Sequence, residues 1–190
     1  KQYQGEQRNL VTQNIDLMPT FLDMHNHSIP SEVKGKSLLT YLDKDAENKF
    51  TALYGYWGGG INITDGKFSY FHYPENFSQQ NPDRYQYTLM PTHMRQFFSN
   101  EELQTATLHK PFDFTKDIPL LKINRIERKT DGGYKGFEDT KSALYNLQND
   151  PGQLTPLVDE KKSNEYQQMM IDIINEYDPP KELIKNYFEN

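Results

Sequence analysis

The chain has 190 residues, no cysteine and a formal net charge of -6, with both signs of charge interspersed. The missing cysteine excludes disulfides, thiolate zinc sites and a cysteine nucleophile from this chain, and the acidic balance argues against a non-specific nucleic-acid binder, which needs a basic face. The length suffices for a real core in one domain or one and a half, and because the apolar share is 35% but includes 13 tyrosines and 11 phenylalanines, burial leans on aromatic side chains.

Residues 1–9 are polar. From Leu10 the pattern changes: Val11, Ile15, Met18 and Leu22 recur at helical spacing, widened by Leu17, Phe21 and Met24. Pro19 lies inside that stripe and is tolerated in a first turn, so the spacing predicts a helix over 17–24 with Asp16 as N-cap and a separate turn or a kinked extension before it. His25 and His27 follow at i, i+2. That spacing invites a metal, but the nearby carboxylates are only Asp23 and Glu32, and a solvated helix end accounts for both histidines.

Residues 54–73 are the centre of the pattern. Two β-type runs, 61–64 and 67–71, flank Asp65-Gly66, which predicts a hairpin with a type I′ turn. A lone hairpin is marginal in water, so these strands need partners, for which 85–90, 120–124 and 143–147 are the candidates. Gly58-Gly59-Gly60 lacks the lysine-serine ending of a phosphate loop and leads into a strand, so it reads as a bulge or close backbone crossing. Trp57 beside it is either core or an aromatic platform for a ligand.

Between 74 and 140 prolines cut the chain into short pieces. Ser99-Asn100-Glu101-Glu102 is a capping box, predicting a helix through about His109. His93 and Arg95 stand two residues apart, where a guanidinium fork and an imidazole suit an anionic group; a satisfied buried histidine and an ordinary ion pair are the alternative. Further on, Asn149-Asp150-Pro151-Gly152 ends the last strand, and Tyr166, Met169, Met170, Ile173, Ile174 and Tyr177 mark a long helix over 159–177. Pro179-Pro180 ends it, and Leu183, Ile184, Tyr187 and Phe188 mark a short second helix. The expected fold is α+β: a small antiparallel sheet of about four strands packed against a long C-terminal helix. No G-x-S-x-G elbow, H-E-x-x-H pair, phosphate loop or calcium-loop spacing is present, and no apolar run approaches the ~20 residues of a membrane helix. The first residues form no signal peptide, and localisation is not legible.

Taken in order, the motifs resemble the sulfatase family of the alkaline phosphatase superfamily. Ile15-Asp16-Leu17-Met18-Pro19-Thr20, then Ile29-Pro30 and Gly35-Lys36-Ser37-Leu38-Leu39, is similar to one family passage. Ile63-Thr64-Asp65-Gly66-Lys67 resembles its hairpin, and Leu144-Tyr145-Asn146-Leu147-Gln148-Asn149-Asp150-Pro151-Gly152 resembles its ending. Gln153 departs from the usual acid and Pro156 from the usual Asn; the segment 74–140 has no match and resembles an insertion.

The resemblance implies a parent that hydrolyses sulfate esters with a formylglycine, made from Cys or Ser in a C/S-x-P/A-x-R motif, and a divalent cation, usually calcium. Neither set of motifs occurs here, so the resemblance implies a C-terminal piece, inactive alone, with no catalytic or metal residue carried over. It implies that 1–50 is the tail of a large α/β domain and 51–190 a C-terminal subdomain. His93, Arg95 and Trp57 become candidate substrate contacts, and the preceding catalytic domain of the same polypeptide becomes the expected partner. Without that domain the stripe of Val11, Ile15, Met18 and Leu22 is orphaned and expected to drive self-association or disorder. The rival readings are a phosphodiesterase, phosphonate hydrolase or phosphoglycerol transferase of the same superfamily, and a stand-alone glycan- or peptide-binding module.

Overall fold

The computed structural model describes residues 3–42, 50–55, 60–73, 85–90, 92–93, 96–124 and 141–189. The chain divides into two compact units: Lys1–Tyr56 with Ile61–Phe71 and Ala143–Met170, and Trp57–Gly60 with His72–Ser142 and Ile171–Asn190.

In the first unit a 3-10 turn, Asn14–Asp16, leads into α1, Leu17–Met24. Pro19 falls in the first turn of α1, where a backbone N–H has no helical partner to lose. Asn26 ends the helix with φ 55°, and the His27 amide reaches back to Leu22 O at 2.8 Å, a left-handed C-terminal cap. Asp16 sits at the predicted N-cap position but has helical backbone angles and caps no amide of α1. Its buried carboxylate instead accepts from Gln13 N at 2.8 Å and Lys36 N at 2.9 Å. Thr20 Oγ1 donates to Asp16 O and accepts from Leu38 N at 2.9 Å, and Ser37 Oγ donates to the Asp23 carboxylate. The Gly-Lys-Ser-Leu segment is thus clasped along α1. The outward stripe is uncovered: Ile15, Leu17, Met18, Phe21 and Met24 are exposed, while Val11 and Leu22 are half-buried.

The same unit holds a four-stranded sheet ordered β1-β2-β3-β7, from Ala52–Gly55, Ile61–Thr64, Phe68–His72 and Ala143–Asn146. Of the three partners expected for the hairpin, only the last joins it, with Tyr70 opposite Leu144. The other edge belongs to β1, where Tyr54 lies opposite Asn62. The hairpin is not type I′: Gly66 has φ 84° but Asp65 does not take a positive φ. The turn is set by the Asp65 side chain, whose Oδ1 accepts from Lys67 N and Phe68 N, both at 2.8 Å. Its Oδ2 accepts the Tyr166 hydroxyl at 2.9 Å, which ties the turn to α3, Glu160–Asn175. Burial alone pushes the Asp65 carboxyl up; the donors from Phe68, Lys67 and Tyr166 outweigh it and hold it below the ordinary carboxylate range. Ile63, Tyr70, Leu144, Tyr166 and Met170 form the core.

The β7 end folds back on its own strand. Asn146 Oδ1 accepts from Gln148 N and Asn149 N, Asp150 accepts from Leu154 N and Thr155 N, and Leu157 N donates to Leu144 O at 2.7 Å. Asp159 then caps α3 through Lys162 N at 2.9 Å.

The second unit carries an antiparallel sheet ordered β4-β6-β5, from Tyr85–Thr88, Leu120–Asn124 and Thr107–His109. Here the expected helix over 100–109 is corrected. The capping box forms as predicted, but α2 is only Asn100–Gln104. Thr105 Oγ1 accepts from Asn124 N at 2.9 Å, and Thr107 to His109 pair with β6. A capping box fixes where a helix starts; the β-branched Thr105 and Thr107 and an open strand edge decide where it stops. After Asp178 turns left-handed at φ 48°, α4 spans Lys181–Phe188. Phe98, Phe112, Leu120, Ile123, Ile174 and Tyr187 are buried in this unit.

His72 is buried in the same unit. Its Nε2 donates to Tyr187 O at 2.5 Å, and its ring stacks on Phe188 at 4.8 Å. Burial pushes its pKa below the ordinary 6.5 despite the carbonyl, which favours the charged form. The stability this neutral imidazole contributes is complete above the unfolded value of 6.5 and is lost as pH falls from there through the lower folded value. Thermal denaturation across that window is expected to show a steeper acid-side loss for the wild type than for His72→Gln, which keeps an N–H donor but does not titrate. Equal slopes would remove His72 from the acid response.

Candidate functional site

Two of the three side chains marked by the sequence, Trp57 and Arg95, lie outside the described residues. His93 is described. It follows Thr92, which bridges to Phe97, and its ring packs 4.1 Å from that of buried Phe98. Its Nε2 lies 3.2 Å from Glu102 Oε1. Glu102 is only 3% exposed, and its other oxygen accepts from Ser99 N at 2.8 Å, completing the capping box. One carboxylate therefore starts α2 and holds the imidazole. The capping box was legible as a helix start; that the same glutamate reaches nine residues back to His93 was not, because the approach depends on the bridge between Thr92 and Phe97.

The remaining candidates disperse. His25 and His27 are exposed at the end of α1, and Asp23 is engaged by Ser37. Among the described residues no group of three or more His, Asp or Glu side chains could hold a metal ion, and no helix is long and apolar enough to cross a membrane. Of the glycine run, Gly58 and Gly59 lie outside the described residues. Gly60 is buried, and a Cβ there would lie 2.7 Å from the Tyr73 ring, the close approach the sequence suggested.

No family model matches the chain. No curated protein matches it either. Among the solved structures that do match is BT4656 in complex with its substrate, D-glucosamine-2-N,6-O-disulfate. The TM-score is 0.39 at 15% sequence identity, over 92% of this chain and 24% of that one. This chain spans about a quarter of the length of that protein.

A second polar cluster, in the second unit, escaped sequence reasoning. The Tyr87 hydroxyl donates to Glu182 on α4, Lys122 Nζ lies 3.2 Å from the same carboxylate oxygen, and that ammonium sits 3.9 Å from the centroid of the Tyr85 ring. His109 and Phe112 meet the Tyr87 ring edge-on at 4.9 and 5.1 Å. Burial first, then the Glu182 carboxylate, pushes the Tyr87 phenol well above its ordinary range, so it keeps its proton and acts as a donor. Burial raises Glu182, but the Tyr87 and Lys122 donors prevail and hold it below its usual value. Donor, acceptor and cation meet at one carboxylate oxygen, so the cluster joins α4 to the sheet. Nothing in the sequence around Glu182 marks it as the partner of residues 60 and 95 positions earlier in the chain.

Proposed function

We propose that this chain is the C-terminal region of a sulfatase-like enzyme that hydrolyses sulfate esters. Within the parent, residues 1–50 would end the large α/β domain and 51–190 form the C-terminal subdomain, with 74–140 inserted. What supports the reading is a single observation: the motif blocks that carry the resemblance, far apart in sequence, fall within one compact unit. Gly35-Lys36-Ser37-Leu38 is hydrogen-bonded along Asp16 to Asp23. The Asp65-Gly66 hairpin pairs with Leu144-Tyr145-Asn146, and Leu147 N donates to Lys67 O at 2.8 Å.

The described residues do not fit calcium, since among them no group of three or more His, Asp or Glu side chains could hold a metal ion. On this reading the nucleophile and metal ligands belong to the preceding part of the polypeptide. This region shapes the cleft, with His93, Arg95 and Trp57 as its substrate contacts. The uncovered stripe of Ile15, Met18 and Phe21 would then pack against the preceding part of the large domain.

The test is to express the polypeptide encoded by the whole reading frame that contains this sequence, beside the 190-residue chain. The long form is expected to release an aryl alcohol from an aryl sulfate in preference to a bis-aryl phosphate. The short form is expected to be inactive and to self-associate on sedimentation. Preference for the phosphodiester would move the parent to the phosphoryl-transfer branch of the superfamily. A reading frame with nothing upstream, and a monomeric short form that binds glycans, would favour the binding module.

A further inference from the structure

We propose that Tyr54 is a removable strap: its side chain lies across the first sheet, closes over the Asn62 amide, and opens on an equilibrium that Asn62 itself drives. The inference is independent of the sulfatase reading. It concerns the face of the sheet that carries Asn62 and Ser69, not the opposite face, which buries Ile63 and Tyr70.

Three observations carry it. Tyr54 stands on the edge strand β1 directly opposite Asn62 on β2, and its hydroxyl meets Ser69 Oγ, on β3, at 2.6 Å. With the strands ordered β1-β2-β3, the phenol ring must cross β2 on the face where Asn62 projects. On that face Asn62 is only 8% exposed, and among the described residues its side chain has no hydrogen-bond partner; Oδ1 is closed off from solvent as well. Tyr54 itself is 41% exposed, and besides the Ser69 hydroxyl it is held by Phe71, edge-on at 6.1 Å. Closed, the strap gains a hydroxyl bond and an aromatic edge contact, and it leaves a buried carbonyl oxygen without a donor, a loss of the same order. Open, the ring has solvent to move into and the amide regains water. The two states therefore lie close in free energy. What opening uncovers is the Asn62 amide, both donor and acceptor, and the freed Ser69 hydroxyl, on a face otherwise lined by Phe71 and Tyr145, whose rings meet edge-on at 5.6 Å.

The test is NMR on the 190-residue chain, with relaxation dispersion recorded at the Asn62 side-chain amide and at the Tyr54 ring. Exchange on the microsecond to millisecond scale is expected at both in the wild type. Tyr54→Phe and Ser69→Ala each remove one side of the hydroxyl bond and should raise the open population several-fold. Asn62→Leu keeps the size of the side chain and removes the unpaired amide, so it should suppress exchange at the Tyr54 ring. Opposite signs from the two kinds of substitution are a signature that general loosening does not give. Exchange protection at Leu147 N, which donates to Lys67 O, reports in each variant that β3 and β7 remain paired. If Asn62→Leu loses that protection, Asn62→Ala removes the same amide without added bulk and is read in its place. A wild type silent at both positions, exchange unchanged by both hydroxyl deletions, or exchange at Tyr54 that persists without the amide would each overturn the proposal. A long-lived water with NOEs to the Asn62 amide would overturn it too, because that water would supply the missing donor.

Discussion

Gly35→Ala is expected to destabilise the first unit by about 3 kcal/mol or more. A Cβ at position 35 would lie 2.0 Å from Ile15 O and 2.5 Å from Ile15 C, inside any real contact distance. The atoms it meets are backbone, so no side chain can swing aside. The chain must instead move away from α1, and that movement breaks the clasp: Lys36 N leaves Asp16 Oδ1, and Leu38 N leaves Thr20 Oγ1. Losing Lys36 N also strips one donor from a buried carboxylate, which adds a desolvation penalty to the steric one. Gly152→Ala is the control. There the nearest atom is a Leu154 side-chain carbon at 3.4 Å, and the change is expected to stay within about 0.5 kcal/mol. Urea denaturation followed by hydrogen exchange at the Lys36 and Leu38 amides would read both. If Gly35→Ala matched Gly152→Ala, the close contact between residue 35 and Ile15 would have to be abandoned.

That glycine illustrates what was legible in the sequence and what was not. The helix at Leu17–Met24, the capping box at Ser99, the hairpin at Asp65-Gly66 and the two C-terminal helices were all legible, because each depends on neighbours within a few residues. Gly35 carried no local signal. It has no left-handed backbone and stands in no turn motif of its own, and its necessity comes from Ile15, 20 residues away. The sheets show the same division. Strand character at residues 85–88, 120–124 and 143–146 could be read from β-type composition, but partner choice could not. The runs at 85–88 and 120–124 pair with each other, 120–124 pairs on its other side with Thr107–His109, and the hairpin takes Ala52–Gly55 as its other edge. Pairing is fixed by which faces are buried together, a property of tertiary packing. The candidate site was legible to the same depth. His93 stood out by its residue type, whereas the carboxylate that orients it was read only as a cap.

Leu144→Ala is expected to cost about 3 kcal/mol, within the range for emptying a buried leucine site, and it tests the pairing on which the functional reading rests. Leu144 is 1% exposed although β7 is an edge strand, because Tyr70 stands opposite it and Leu157 N folds back onto its carbonyl at 2.7 Å. The side chain belongs to the same core as Ile63 and Met170, both fully buried, and the edge position leaves little neighbouring structure to relax into the space. Leu154→Ala removes the same atoms ten residues later, where the side chain is 85% exposed, and should stay within about 0.5 kcal/mol. Because the chain has two compact units, a single unfolding midpoint is not the right measure; exchange protection at Leu147 N, which donates to Lys67 O, reports the β3–β7 pair directly. Protection there should fall in Leu144→Ala by the factor that corresponds to its free-energy loss, while Ile123 and Leu121 in the other sheet keep theirs. If the two leucines behaved alike, Leu144 would not be a core residue. The pairing of the C-terminal motif with the Asp65-Gly66 hairpin would then lose its side-chain support, and with it one of the two sets of contacts that support the proposed function.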